Sequence, residues 1–69
     1  MEVKDSNGTL LGDGDNVTLI KDLKLRGSST VLKRGTMVKG IRLTDDADEV
    51  EARVNKQAIV LRTEFLKKA

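Results

Sequence analysis

Apolar residues in this chain come in short runs punctuated by glycine, asparagine and aspartate, the pattern of brief strands joined by turns. The clearest run is Glu49–Val54. Val50, Ala52 and Val54 fall on one face and Glu49, Glu51 and Arg53 on the other, the period of two expected for a half-buried strand. Asn55-Lys56 then reads as a tight turn, and Gln57–Arg62 as the returning strand, with Ile59 and Leu61 inward together with Phe65. Val60 is left on the outer face or at an edge.

The remaining elements follow by the same reasoning. Glu2-Val3-Lys4 and Thr9-Leu10-Leu11 form a small hairpin across Asp5-Ser6-Asn7-Gly8, a turn by composition. After the break at Gly12-Asp13-Gly14-Asp15, the β-branched content of Asn16–Leu23 favours a strand. Lys24–Thr30 is a loop, Val31-Leu32 a brief strand, and Lys33-Arg34-Gly35-Thr36 a turn in which Gly35 takes a left-handed conformation. In Met37–Leu43 the positions Val38, Ile41 and Leu43 break parity, which a β-bulge near Lys39-Gly40 repairs. Asp45–Asp48 is an acidic connector, and Thr63–Lys68 closes with a short helical turn capped by Thr63.

Five or more short antiparallel strands predict an all-β fold, a small SH3-like barrel in a single domain over residues 1–69. An OB-fold is the second choice, because it usually needs a longer chain and a helix. The predicted core is Val17, Leu19 or Ile20, Leu23, Leu32, Val38, Ile41, Leu43, Val50, Ala52, Val54, Ile59, Leu61 and Phe65.

Composition narrows the chemistry. At 69 residues with no cysteine and no histidine, the chain lacks the disulfides and zinc sites that often stabilise domains of this size. Phe65 is the only aromatic residue. No apolar run approaches membrane-spanning length and no apolar segment follows Met1, so a soluble, cytoplasmic protein is expected. Without His or Cys, the commonest general base and the soft nucleophile are excluded. The carboxylate pairs Asp13/Asp15 and Asp45/Asp46 read as turn chemistry and as a solvated connector. An EF-hand counted from Asp13 would need a glutamate where Lys24 stands. RGSST lacks the spacing and lysine of a phosphate loop, although backbone amides around Gly27-Ser28-Ser29 offer a weak anion nest. No catalytic, cofactor or metal residue is assigned, and a non-enzymatic protein is expected.

Charge is segregated. Seven bases against one acid lie between Lys21 and Arg42, and five acids without a base between Asp45 and Glu51. Lys21, Lys24, Arg26, Lys33, Arg34 and Lys39 are therefore the candidate anion- or partner-binding residues. They support two readings. In one, the basic and acidic strips engage a protein partner or a second copy of the chain. In the other, the basic strip binds nucleic acid or another polyanion, weakly and without sequence preference, since exposed aromatics for base stacking are lacking.

The segments KDSNG, DGDNVTLIKDLKLRGSST, LKRGTMVKGIRL and TEFLKK together resemble the PhnA family of bacterial proteins, from Val3 to Lys68. What is similar is the family's C-terminal domain, which implies an SH3-like barrel. The family name implies an association with alkylphosphonate utilisation, and not phosphonate hydrolysis. Longer members begin with a cysteine-rich zinc ribbon. This chain has no cysteine, so no zinc role carries over. The 45–56 stretch, DDADEVEARVNK, departs from the glycine- and histidine-bearing wording more common in the family.

Overall fold

The computed structural model describes residues 2–24, 30–54 and 56–69, and these form an all-β fold of eight strands and one 3₁₀ turn. In chain order the strands are β1 (Val17–Leu19), β2 (Leu23–Lys24), β3 (Val31–Leu32), β4 (Met37–Val38), β5 (Arg42–Leu43), β6 (Glu49–Val54), β7 (Gln57–Arg62) and β8 (Leu66–Lys68). The 3₁₀ turn Thr63–Phe65 lies between the last two. They associate as three antiparallel sheets, ordered β4-β1-β8, β2-β3 and β5-β6-β7.

The β6–β7 hairpin forms over the bounds that the alternation predicts. Its buried row sets Val50 opposite Leu61 and Ala52 opposite Ile59. On its outer face, Glu49 stands opposite Arg62 and Glu51 opposite both Arg42 and Val60. Opposite charges face one another across the strands, which favours this register over its neighbours. Of the turn joining the two strands, Asn55 lies outside the described residues, while Lys56 takes a positive φ of 66°.

One cluster forms the core: Val3, Leu11, Val17, Leu19, Leu32, Val38, Ile41, Val50, Ala52, Ile59, Leu61 and Leu66, with Leu23, Leu43 and Val54 packed against it. Leu19, not Ile20, faces inward.

Five expectations are corrected. Asn16–Leu23 is not one strand. It bends over residues 20–22, where the Ile20 N–H donates to Phe65 O and the Asp22 carboxylate accepts the Arg34 N–H. Met37–Leu43 is likewise two short strands, separated at Gly40, whose φ is 66°; the turn of the backbone there still leaves Val38 and Ile41 both buried. Phe65 is only half-buried, and Leu66 takes the core position. The 3₁₀ turn shifts the inward phase by one residue, from the odd positions of β7 to an even one in β8. Thr63 does not cap that turn: Arg62 is the cap residue, without a side-chain hydrogen bond, and Thr63 is buried. The first hairpin is reduced to a single bridge between Lys4 and Leu10.

Candidate functional site

The carboxylates are engaged in holding backbone. Asp5 Oδ1 accepts the N–H groups of Asn7 and Thr9 at 2.8 and 2.9 Å, and its Oδ2 accepts that of Lys68 at 2.7 Å. Burial alone would raise the Asp5 pKa. The donors from Lys68, Thr9 and Asn7, with the charge of Lys67, outweigh it and hold the carboxyl below its ordinary value. Asp13 Oδ1 accepts the Leu43 N–H at 2.8 Å, and Asp15 Oδ2 that of Gly12 at 2.8 Å, with Lys68 Nζ 3.6 Å away. Asp46 accepts the Asp48 N–H within the acidic connector. The Asp13/Asp15 pair is thus split between two structural tasks. Among the described residues, no three acidic, His or Cys side chains come close enough to hold a metal ion.

Of the described candidates, Lys21, Lys24, Lys33 and Arg34 lie on or beside the β2–β3 hairpin, while Lys39 lies beside β5 and β6. Lys21 lays its ammonium 4.3 Å from the centre of the Phe65 ring. Lys33 pairs with Asp22 at 3.9 Å, both exposed, and Arg34 lies in the same turn. Lys24 sits on β2 opposite Val31. Lys39 lies apart, lining a shallow groove of about 410 Å³ with Arg42, Glu51 and Arg53. Arg26 and the Gly27-Ser28-Ser29 nest lie outside the described residues.

The larger groove, about 640 Å³, runs along β7 and is lined by residues 57–62 together with Leu23, Lys24, Glu49 and Phe65. It exists because β7 is the last strand of its sheet. Within β7 the odd positions turn their backbone groups toward β6, as required when Val54 pairs with Gln57 across a two-residue connection. The Thr63 N–H, which donates to Asp48 O, keeps the same phase. Ala58, Val60 and Arg62 consequently direct their N–H and C=O groups outward, where no partner meets them among the described residues. On β5 and β8 such groups are covered: the Leu43 N–H by Asp13 and the Lys68 N–H by Asp5. Val60 is 57% exposed, the most exposed of the large hydrophobic side chains among the described residues.

The sequence reading placed Lys21 and Lys24 among its candidates, and the structure brings Lys24 to this groove and Lys21 to the ring that lines it. It placed Val60 on the outer face or at an edge, but did not single out Leu23, Phe65 or the β7 edge as a site. The legible signal was the run Ala58-Ile59-Val60-Leu61, which contains neither proline nor lysine to blunt an edge.

A family model described as the PhnA domain matches residues 3–69. A protein named YjdM homolog from Haemophilus influenzae is 60% identical over 67 residues, covering 97% of this chain and 52% of the relative. Proteins named YjdM from Escherichia coli K12 and Streptococcus mutans are 51% and 48% identical, each over 96% of this chain. The chain spans only 52% to 61% of the length of these relatives.

Proposed function

The chain belongs to the PhnA-domain family, and on that premise we propose that it is a non-enzymatic binding module of SH3-like type that engages a protein partner at the β7 groove. One observation carries this reading: a six-residue strand keeps an uncovered edge beside a groove with an apolar wall, while the outward amides of Leu43 and Lys68 are covered. An open edge is a template for another strand. The non-enzymatic part is supported by the engagement of Asp5, Asp13 and Asp15 in backbone hydrogen bonds, which commits them to holding the chain. Any role in alkylphosphonate utilisation is then an accessory one, exercised through a partner in the cytoplasm.

Binding of polyanions is the second reading. The engagement of its residues gives it less support: Lys33 is paired with Asp22, Lys21 lies over the Phe65 ring, and Lys39 lines a different groove. Titration with a pool of random extended peptides, followed by amide NMR, tests the first reading. Shifts confined to Leu23, Lys24, residues 57–62 and Phe65 are expected, and shifts elsewhere or none would defeat it. Salt-reversible shifts at Lys33, Arg34 and Lys39 on adding a short mixed oligonucleotide would establish the second. Release of phosphate from a phosphonate by the purified protein would overturn the non-enzymatic assignment.

A further inference from the structure

We infer that the β7 edge accepts an extended protein segment whose side chains alternate apolar and acidic. The inference deepens the groove reading and rests on it. A strand added to β7 meets the outward N–H and C=O groups of Ala58, Val60 and Arg62, and its own side chains then alternate between the two faces of the sheet. On the inner side it meets Leu23 and the half-buried Phe65, which call for apolar residues. On the outer side it runs beside Val60 and Arg62. The cations of the rim are Lys24 and Arg62, with Lys21 held over the Phe65 ring, against Glu49 alone among the lining acids. Glu64 lies 3.7 Å from Arg62 and Glu49 stands opposite it, so Arg62 is already balanced and the rim's positive charge rests on Lys24 and Lys21.

A second copy of the chain is the competing occupant. Antiparallel pairing of β7 with itself about Val60 would satisfy all the outward groups, because Ala58 then faces the copy's Arg62. That register sets each Arg62 about 10 Å from the copy's Arg53, two strand spacings away, with no acid between them. At that distance the repulsion is largely screened. What separates the two occupants is that the copy's β7, Gln57–Arg62, carries no acid to meet Lys24 and Lys21, whereas an acidic segment does.

The probe is a blocked pentapeptide, Glu-Val-Glu-Val-Glu, compared with Lys-Val-Lys-Val-Lys and Thr-Val-Thr-Val-Thr by amide NMR and hydrogen exchange. The acidic peptide is expected to bind at least tenfold more tightly than the basic one and to protect the amides of Ala58, Val60 and Arg62. The double variant Lys21→Glu, Lys24→Glu should reverse the preference. Val60→Pro, which removes an outward donor without touching the β6 pairing, should abolish binding of the acidic peptide; a proline is tolerated at such an edge position. Equal binding of all three peptides would overturn the acidic partner while leaving the groove reading intact. No perturbation by any peptide at millimolar concentration would overturn both. Concentration-dependent protection of the same amides in the free protein, with a dimer in sedimentation, would give the edge to a second copy instead.

Discussion

The carboxylate of Asp5 accepts the backbone N–H of Lys68 at 2.7 Å, tying the first turn of the chain to its last strand. The same turn is fixed a second way, by the Ser6 N–H donating to Leu66 O. Together these bonds cover the outer edge of β8 and bring Val3 and Leu11 into the core. In a domain this small, such closure replaces the cross-links the chain lacks.

Replacing Asp5 with alanine strands three backbone donors, two of them local. A loss of about 2–3 kcal/mol is expected, the upper part of the range for backbone donors left without a charged acceptor. Urea denaturation of Asp5→Ala against the parent checks it, and an unchanged midpoint would refute the closure role.

Acid should weaken the fold through the same residue. The folded Asp5 pKa lies below its ordinary value, so its contribution is fully present above about pH 4. The contribution is lost as pH falls through the lowered folded value, because the unfolded chain then binds the proton more readily. Between pH 5 and 2, Tm should fall more steeply for the parent than for Asp5→Asn. Parallel curves would show that Asp5 is not the controlling carboxylate.

Gly35 occupies the third position of the 33–36 turn with φ at 89°, and Thr36 N–H donates back to Lys33 O. A left-handed conformation at a non-glycine residue costs about 1–2 kcal/mol. Gly35→Ala should therefore destabilise by roughly that amount, and Gly35→Val by more. Gly12 has no such backbone and a Cβ there would meet Asp15 at an ordinary 3.8 Å. Gly12→Ala should stay within about 0.5 kcal/mol of the parent. Equal thermal shifts at the two glycines would contradict the assignment.

Leu66 is fully buried and Phe65 is not. Leu66→Ala should cost about 2–5 kcal/mol, the usual range for emptying a packed leucine site. Phe65→Ala should cost less, while removing the ring beneath Lys21 and one wall of the β7 groove. The reverse ranking in denaturation would restore Phe65 to the core.

That ranking also marks where the sequence could be read. The β6–β7 hairpin was legible to its ends, because both strands alternate strictly and a turn signal separates them. The reading failed at Phe65 because a single 3₁₀ turn shifts the pleat by one residue, and size favoured the aromatic ring over its neighbour. Asp5 was recognisable as a turn residue. Its bond to Lys68 was not, since nothing local specifies an acceptor for a donor 63 positions away. The basic strip is kept together only in part, around the β2–β3 hairpin. Turns at residues 20–22 and 33–36 then sent Lys33 to Asp22 and left Lys39 beside another groove. The binding edge was half legible: Val60 was placed outside or at an edge, but strand order, which makes β7 terminal, is a property of the whole sheet.

Amide hydrogen exchange along β7 in the free protein tests the central claim most directly. Ile59 and Leu61 donate to β6 and should exchange slowly, while Ala58, Val60 and Arg62 face the open groove and should exchange near the rate of exposed amides. An alternating pattern over residues 58–62 would establish the unpaired edge on which the binding site depends. Uniform protection along the strand at low concentration would show that the edge is already covered within the monomer, and the account would fail.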